Sequence, residues 1–394
     1  MSNIKIGIAG TGTVGSALIN IIEEKSHLLH NLTAKQNIEI KAIASRTKKP
    51  SFQHIKWFDS ALDLADDPDI DIVIELVGGA EGVAYELCKR ALTNKKDVVT
   101  ANKDLIAKHG NELTKIAEKN KVSLLFEAAV AGAIPIIKTL KENLSVKFIR
   151  EIRGILNGTC NYILTEMEKQ QQEFAPILQQ AQEFGYAEAD PLLDIGGFDA
   201  AHKLSIIAAL AFKTKINFDS VDVSGVDNVK LNDIKAADFL GYRIKHLGIC
   251  KLTDKYEIHQ EASVFLLPKT NQLATIDGTL NSIMIISSLA DETILTGRGA
   301  GGRQTASAVL SDIIDISRAK KSFPLTVHSS DQEDYKFNNS TNSRQQYFIR
   351  SDNGLPADLN PINGDFGAAA IINQTQKQNL KGEFSCIKLY ENAG

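Results

Sequence analysis

The chain has 394 residues, more than a single hydrophobic core normally serves, so two or three domains are expected. Its 44 basic and 48 acidic residues give a net charge of −4, and this near balance argues against nucleic acid or an anionic membrane as a partner. A cytoplasmic protein is expected, because the N-terminus leads into a predicted strand without a basic leader, no apolar run approaches a membrane span, and the cysteines lack metal or disulfide spacing.

The first 133 residues alternate between two apolar periods. Amphipathic segments such as 14–25 and 84–95 predict helices. Short apolar runs between them predict strands at 4–10, 38–45, 71–78, 97–103 and 122–130. Strands that are apolar on both faces are typical of a parallel sheet covered by helices on both sides. The pattern predicts a doubly wound α/β domain of the Rossmann type over residues 1–133.

The pattern changes after residue 133. A strand at 148–156 is followed by predicted helices at 160–169, 175–184 and 199–212 and by strands at 257–268 and 282–288. This mixture predicts an α+β domain over 134–299, with a glycine turn and helix near 300–322 that complete the first domain. The polar stretch 323–345 is interpreted as a linker, and 346–394 as a short separate tail.

The segment GTGTVG, residues 10–15, has the form GxGxxG and lies between a predicted strand and a predicted helix. In this context Gly10 permits a tight turn, Gly12 lets the backbone approach a pyrophosphate, and Gly15 packs the helix on the strand. The free N–H groups at the start of the helix, at Thr13 and Val14, can then bind phosphate. The segment therefore predicts a dinucleotide site.

The end of the second strand, ASRTKKP, bears on which dinucleotide is bound. Ser45 and Arg46 stand where an NAD site usually carries an acid, and Lys48 and Lys49 follow. A guanidinium suits a 2′-phosphate through charge-assisted bonds, so Arg46 favours NADP. A solvated basic turn and NAD remain open as alternatives.

Two further stretches carry charged groups suited to chemistry. TANK places Lys103 at the C-terminal end of a parallel strand, the sheet edge at which ligands bind. GYAEADPLLDIGGFDAAHKL, residues 185–204, places Asp199 and Lys203 four positions apart on one helix face. Such a pair is either a site or an ordinary helix salt bridge worth about 0.3–0.5 kcal/mol. Asp190 could equally belong to a turn, and Asp194 could cap the Gly-Gly bend.

Together with GILNGTCNYIL (154–164) and GAGGRQTASAV (299–309), these motifs resemble homoserine dehydrogenase over about residues 4–320. The resemblance implies reversible, NAD(P)H-dependent reduction of L-aspartate 4-semialdehyde to L-homoserine in threonine, methionine and isoleucine biosynthesis. It assigns dinucleotide binding to 1–133 and substrate binding and dimerisation to 134–299. It makes Lys203 the general acid–base, with Asp199 beside it, and brings Lys103 to both substrate and nicotinamide. Further positions match substrate contacts (Glu188 for the ammonium, Asp194, Tyr186 and Thr159) and a cofactor contact (Gly301).

The resemblance also implies a structural sodium ion held by the segment 127–136, at Glu127, Val130, Gly132 and Ile134. It implies a homodimer or a higher homo-oligomer. Arg298 and Gln304 depart from it, because they replace the prolines usual in the family's glycine loop; Arg298 could reach a phosphate or a substrate carboxylate. The tail is interpreted as a shortened ACT-like module, so inhibition by threonine is not assumed.

Two other functions compete with this one. An aspartate-semialdehyde dehydrogenase would need a nucleophilic cysteine, and Cys160 is the only cysteine within a motif, although no histidine partner is evident. A nucleotide sensor without activity would have no need of Lys103, Glu188, Asp199 and Lys203 together.

Overall fold

The computed structural model describes residues 3–146, 148–320, 322–339 and 345–390. Its first part is a six-stranded sheet, all parallel, in the order β3-β2-β1-β4-β5-β6. The strands are β1 (Ile4–Ala9), β2 (Ile38–Ala44), β3 (Lys56–Phe58), β4 (Ile72–Glu75), β5 (Asp97–Thr100) and β6 (Leu124–Leu125). The helices between them are α1 (Thr13–Glu24), α2 (Ser26–Leu32), α3 (Leu62–Asp66), α4 (Val83–Thr93) and α5 (Lys103–Asn120).

Helices cover this sheet on both faces, as the uninterrupted apolar runs predicted. On one face Leu18 and Ile19 of α1 pack with Ile8 of β1, and on the other Leu87 of α4 and Leu105 of α5 pack with neighbouring strands. The doubly wound prediction is confirmed. The strand predicted at 122–130 is much shorter, because β6 ends at Leu125 and a 3-10 turn follows at Glu127–Ala129.

The second part begins with α6 (Ile136–Lys138), which continues as a π-helical turn at Thr139–Asn143. Its core sheet has the antiparallel order β12-β11-β7-β9-β10. These strands, with the short β8, are β7 (Ile149–Ile155), β8 (Asp222–Val223), β9 (Tyr242–Leu252), β10 (Glu257–Pro268), β11 (Leu280–Ser287) and β12 (Asp291–Arg298). The helices are α7 (Gly158–Gln170), α8 (Phe174–Glu183), α9 (Leu192–Ile195), α10 (Phe198–Phe212), α11 (Leu231–Phe239) and α12 (Gly302–Ser317).

Two helices determine how the two parts meet. The helix α10 is buried along most of its length and packs against α5 of the first part and against β9 and β10 of its own sheet. The helix α12 returns to the first sheet, where Val309 and Ile313 share a core with Leu18 of α1. The chain therefore crosses between the parts more than once, and the junction is lined by the starts of α5, α7, α10 and α12.

The described residues of the predicted linker and of the tail both pair with the second sheet. Within the supposed linker, β13 (Lys336–Phe337) pairs with β10. The tail contains β14 (Gln346–Ser351), β15 (Ile362–Gly364), β16 (Gly367–Asn373), α13 (Gln374–Asn379) and β17 (Ser385–Leu389). Because β17 also pairs with β10, the tail extends the second sheet through backbone hydrogen bonds. Residues 340–344 of the predicted linker and 391–394 of the tail lie outside the described residues.

The tail itself keeps the strand order of a βαββαβ module. Its order is β17-β14-β16-β15, and β14 and β15 run parallel to each other on either side of β16. This is the split arrangement of that fold. The first helix is reduced to a 3-10 turn at Ala357–Leu359 and the second to the six residues of α13, which agrees with a shortened ACT-like tail. Among the described residues, none of the helices combines the length and apolarity needed to cross a membrane.

Candidate active site

The GxGxxG turn is closely packed at its first and third glycines. At Gly10, φ is +99°, and a Cβ would lie 2.5 Å from the carbonyl oxygen of Leu76. A Cβ on Gly15 would lie only 2.0 Å from the carbonyl oxygen of Gly10, whereas a Cβ on Gly12 would meet nothing within 4 Å. Gly12 is the N-cap of α1 and contributes no side-chain cap, so the N–H groups of the first turn, from Thr13 and Val14 onward, remain available to an anion.

The start of α12 lies beside the start of α1. A Cβ on Gly302 would be 2.9 Å from Cγ2 of Thr13, and the N-cap Gly301 has a φ of +126° and no side-chain cap. The side chain of Gln304 covers Gly301, since a Cβ there would lie 2.4 Å from its Oε1. Two uncapped helix N-termini therefore converge on one space, which suits a diphosphate. The side chain of Arg298 is exposed at the rim of this loop.

The basic turn after β2 contacts the first turn of α1 through a different residue from the one predicted. Arg46 is exposed, and within the described chain no ion pair involves it. Lys49, instead, donates from Nζ to Oγ of Ser16 at 2.8 Å, and Ser16 donates to the carbonyl of Thr11 at 2.8 Å. Lys49 thus brings a positive charge to the glycine turn, while Arg46 lies outside it.

At the centre of the junction, the carboxylate of Asp199 lies between two lysines. Its Oδ2 accepts from Nζ of Lys203 at 2.7 Å and from Nδ2 of Asn157 at 2.9 Å, and its Oδ1 lies 3.2 Å from Nζ of Lys103. Asp199 is only 7% exposed. Burial opposes its ionisation, but the two ammonium groups outweigh burial and hold the pKa of Asp199 well below its usual range. Asp199 is therefore an anion at every physiological pH.

The two lysines come from different parts of the molecule. Lys103 is the first residue of α5, which Asn102 caps by accepting from the N–H of Leu105 at 3.1 Å. Burial would lower the pKa of Lys103, but Asp199 and the neighbouring Asp104 raise it overall. Lys203, on α10, also donates to the carbonyl of Leu156 at 2.8 Å. These two acceptors use two of the three N–H bonds of Lys203, so one remains for a substrate oxygen.

The start of α7 completes the polar wall. Asn157 caps this helix by accepting from the N–H of Cys160 at 2.7 Å, and its Nδ2 donates to Oδ1 of Asp194 at 2.7 Å. Thr159 donates to the carbonyl of Tyr186 at 2.7 Å and lies 3.5 Å from Oδ2 of Asp194. Burial and the nearby charge of Asp199 raise the pKa of Asp194. Asn157 thus links the two aspartates.

Not all predicted substrate residues meet here. The hydrogen bonds join Lys103, Lys203, Asp199, Asp194 and Thr159, together with the backbone of Tyr186. The ring of Tyr186 is 46% exposed and packs on the Tyr162 ring at a centroid distance of 4.9 Å. The carboxylate of Glu188 is exposed and has no ion pair or hydrogen bond among the residues that the structure describes.

Asn157 was not singled out from the sequence, although it stands within the quoted motif GILNGTCNYIL. An asparagine between a strand and a helix, just before Gly-Thr, is a typical N-cap signal, and this signal could have placed it at the site. Lys49 was noted only as part of a basic turn. Its contact with Ser16 depends on how the turn folds back on α1, and the sequence does not encode that in any local pattern.

Cys160 lies close to the site but is not a candidate nucleophile. It is buried, and its Sγ donates to the carbonyl of Asp194 at 3.1 Å. Burial, aided by the charges of Asp194 and Asp199, raises the pKa of the thiol well above its ordinary value. A nucleophilic cysteine needs the opposite environment, so the site does not support an acyl-transferring semialdehyde dehydrogenase.

The turn predicted to hold sodium is only partly suited to it. Both carboxylate oxygens of Glu127 accept backbone N–H groups at the start of α6, from Ile137 at 3.0 Å and Lys138 at 2.8 Å. The carboxylate is therefore directed to the helix, and the donors that fit a hard cation are the backbone carbonyls of the turn around Gly132, whose φ is +54°. No cluster of three or more His, Cys, Asp or Glu suited to a metal occurs in the described residues.

Comparison with known proteins agrees with this geometry. The family model "Homoserine dehydrogenase" matches residues 135–314, and the model "Homoserine dehydrogenase, NAD binding domain" matches residues 10–127. The homoserine dehydrogenase of Pseudomonas aeruginosa is 42% identical over 327 residues, which cover 82% of this chain and 74% of that protein. The homoserine dehydrogenase of Helicobacter pylori is 41% identical over 324 residues, which cover 82% of this chain and 76% of that protein.

Solved structures extend the similarity to the tail. The crystal structure of a homoserine dehydrogenase from Thiobacillus denitrificans has a TM-score of 0.91 at 32% identity and covers 99% of both chains. A hyperthermophilic archaeal homoserine dehydrogenase in complex with NADPH has a TM-score of 0.69 at 27% identity, over 82% of this chain and 99% of that one. With both domain models matched and relatives above 40% identity, the chain belongs to the homoserine dehydrogenase family.

Proposed function

We propose that this enzyme interconverts L-aspartate 4-semialdehyde and L-homoserine with NADP, as a step of threonine, methionine and isoleucine biosynthesis. The observation that carries the proposal is the buried Asp199 carboxylate held between Lys103 of the dinucleotide domain and Lys203 of the substrate domain. A bound dinucleotide would supply or accept the hydride. The protein has to bind the amino acid, polarise its aldehyde and move one proton.

Lys203 is proposed as the general acid–base. In the direction of reduction, one N–H bond of its ammonium donates a proton to the aldehyde oxygen as that oxygen gains negative charge. Asp199 and the carbonyl of Leu156 hold the other two N–H bonds, so the third has a fixed direction. In the direction of oxidation the same nitrogen, once neutral, takes the hydroxyl proton from homoserine. Lys103 adds a second positive charge beside the developing oxyanion.

The zwitterionic end of the substrate needs an anion and a donor. Glu188 and Asp194 are proposed for the ammonium group: Glu188 presents an exposed carboxylate without a partner among the described residues, and Asp194 lines the wall of the site. The hydroxyl groups of Thr159 and Tyr186, with the N–H groups at the start of α7, are proposed for the carboxylate.

NADP is proposed as the preferred dinucleotide because positive side chains flank the end of β2. Lys49 is tied to the first turn of α1, and Arg46 is free to move onto a 2′-phosphate. The archaeal relative in complex with NADPH supports this preference. We further propose a sodium ion held by carbonyl oxygens of the turn at Val130, Gly132 and Ile134, a homodimer or a higher homo-oligomer, and a cytoplasmic location.

The test is a steady-state assay of homoserine oxidation with NADP and with NAD, comparing wild type with Lys203→Ala. Lys115→Ala is the matched control, because Lys115 is exposed on α5 far along the helix from the site. We expect kcat to fall by at least about 100-fold in Lys203→Ala, with unchanged dinucleotide affinity and a normal control. A wild type that prefers NAD would refute the proposed role of the basic turn but would leave the proposed reaction standing. Full activity in Lys203→Ala would refute the acid–base assignment.

An inactive nucleotide sensor is the remaining alternative, and the same assay decides it. A wild type that binds NADP but oxidises no homoserine would favour the sensor. Cys160→Ser separates the dehydrogenase from a thiol-dependent enzyme: we expect it to keep near wild-type kcat, because its thiol is buried and engaged with a backbone carbonyl. Loss of activity with an intact fold would contradict this.

A further inference from the structure

Asp104 and His202 are each next to one of the two site lysines in the chain. Asp104 is the second residue of α5, directly after Lys103, and His202 stands directly before Lys203 on α10. Their side chains meet across the domain junction, with Nδ1 of His202 at 2.8 Å from Oδ1 of Asp104. Asp104 and His202 therefore form a further contact between α5 and α10, beside the one that Lys103 and Asp199 make in the site.

We propose that Asp104 and His202 form a positioning pair that keeps Lys103 at a fixed distance from Asp199. The proposal deepens the proposed function and rests on it. The same Oδ1 of Asp104 that meets His202 lies 3.8 Å from Nζ of Lys103, which in turn lies 3.2 Å from Asp199. Lys103 is thus held between two carboxylates, and His202 determines where one of them points.

His202 is placed so that it acts through Asp104 and not on the substrate. Its ring packs on the ring of Phe218 at a centroid distance of 4.3 Å. It borders a cavity of about 560 Å³, which is also lined by Asp104, Lys108 and Asp219. With the ring held by stacking and its side chain 18% exposed, His202 has a fixed position beside the Asp104 carboxylate.

The charges around the pair explain why its loss would matter. The contact with His202, together with the charge of Lys103, lowers the pKa of Asp104 against the effect of burial. The groups facing Lys103 are Asp199, Asp104 and Asp194, and together they raise its pKa against burial. Without the anion at Asp104, Lys103 is drawn toward Asp199 alone, where it competes with Lys203 for the same carboxylate. Reacting groups displaced by about 1 Å can cost up to about 100-fold in rate.

The variants that test the pair are Asp104→Asn, which keeps the shape and removes the charge, and His202→Phe, which keeps the stacking and removes the donor. His202→Asn, which retains a donor, is the conservative rescue. His109→Phe is the matched control for His202→Phe. His109 lies on α5, stacks on the ring of Tyr85 at a centroid distance of 4.3 Å, and likewise meets a carboxylate.

We expect Asp104→Asn and His202→Phe to lower kcat/KM for homoserine by about 10- to 100-fold while the Kd for NADP stays unchanged. His202→Asn should recover part of the loss, and His109→Phe should match wild type. In Asp104→Asn the basic limb of the pH profile should move to lower pH, because Lys103 loses an anion that raises its pKa. A simple loss of packing would not move that limb.

A readout without turnover separates this proposal from the proposed function. The rate at which acetic anhydride labels Lys103 in the protein without ligands, followed by peptide mass spectrometry with Lys115 as the internal reference, should rise several-fold in Asp104→Asn. Unchanged labelling together with wild-type kcat/KM would overturn the positioning role, even if the enzyme is a homoserine dehydrogenase. An inactive wild type whose Lys103 labelling still responds to Asp104 would overturn the proposed function and leave the pairing in place.

Discussion

Gly12 and Gly15 lie in the same turn, and the structure predicts opposite consequences for the same substitution. An alanine at Gly15 places its Cβ 2.0 Å from the carbonyl oxygen of Gly10, a backbone atom that cannot rotate away. An alanine at Gly12 meets nothing within 4 Å, and its φ of −64° lies outside the left-handed region that favours glycine. Gly15→Ala should therefore damage the fold without ligand, and Gly12→Ala should damage only ligand binding.

The expected changes in unfolding free energy and in NADP affinity follow from these contacts. Separating the Gly15 Cβ from the Gly10 carbonyl requires a backbone shift of more than 1 Å between α1 and β1, and such overpacking costs about 3 kcal/mol. Gly12→Ala should change unfolding free energy by less than about 0.5 kcal/mol. Its methyl group nevertheless occupies the surface over which a pyrophosphate would approach the N-terminus of α1. The loss of one charge-assisted hydrogen bond, about 1.5–3 kcal/mol, would raise the Kd for NADP by about 10- to 100-fold.

Urea denaturation of both variants without ligand, followed by fluorescence titration with NADPH, gives the two quantities. A Gly12→Ala protein that binds NADPH as tightly as wild type would show that no pyrophosphate approaches this turn. A Gly15→Ala protein as stable as wild type would show that α1 is not pressed on β1 as described. Either result would refute the reasoning from the turn geometry.

Two further substitutions test the buried charges. Asp199→Asn should lower the unfolding free energy by about 3 kcal/mol, since it leaves two ammonium groups without their anion. Because the pKa of Asp199 is depressed in the folded protein, its stabilising effect is complete above the pKa of the unfolded state. The difference in unfolding free energy between variant and wild type should therefore stay constant from about pH 6 to 8. An equally stable variant, or one whose deficit disappears at neutral pH, would contradict that. Burial lowers the pKa of His246 to about 4, so the unfolding free energy of the wild type should fall as the pH drops below about 6.5. His246→Gln keeps a donor for the carbonyl of Ser224 but has no group that titrates. Between pH 7 and pH 4.5 its unfolding free energy should therefore fall by on the order of 2 kcal/mol less than that of the wild type. Parallel pH curves for both proteins would exclude His246 as the source.

The first domain could be predicted from the sequence because its determinants are local. Runs such as IKIGIAG are apolar on both faces, and at Gly10 and Gly15 a Cβ has no room. The strand β9 could not be recognised in this way. It contains Arg243, Lys245 and His246, which read as a polar segment, yet Lys245 is only 1% exposed. Its charge is satisfied by Asn161, the carbonyl of Ile276 and Asp277, partners that the chain brings from far away.

The same distinction applies to the site. Asp199 and Lys203 lie one helical turn apart, so their contact was readable from spacing, and only its burial separates it from a surface salt bridge. Glu127 is different: only the family resemblance pointed to it as a sodium ligand, and no local pattern showed that the start of α6 takes both of its carboxylate oxygens. The docking of the tail on β10 has no sequence signal either, because β-pairing between strands more than 100 residues apart uses backbone groups that every residue carries.

The position of Asp199 connects the fold with the chemistry. Lys203 and Asn157 reach it from the substrate domain, and Lys103 reaches it from the dinucleotide domain. One ammonium group would be enough to balance the charge of a buried carboxylate. Because a second ammonium group reaches Asp199 from the other domain, Asp199 also fixes the distance between the two domains at the site. In the proposed reaction, hydride transfer requires the reacting atoms of the nicotinamide, bound by one domain, and of the aldehyde, bound by the other, to be held about 3–3.5 Å apart. On the proposed function, Asp199 orients Lys203, the proton donor, and sets that distance, which accounts for its burial with two lysines instead of one.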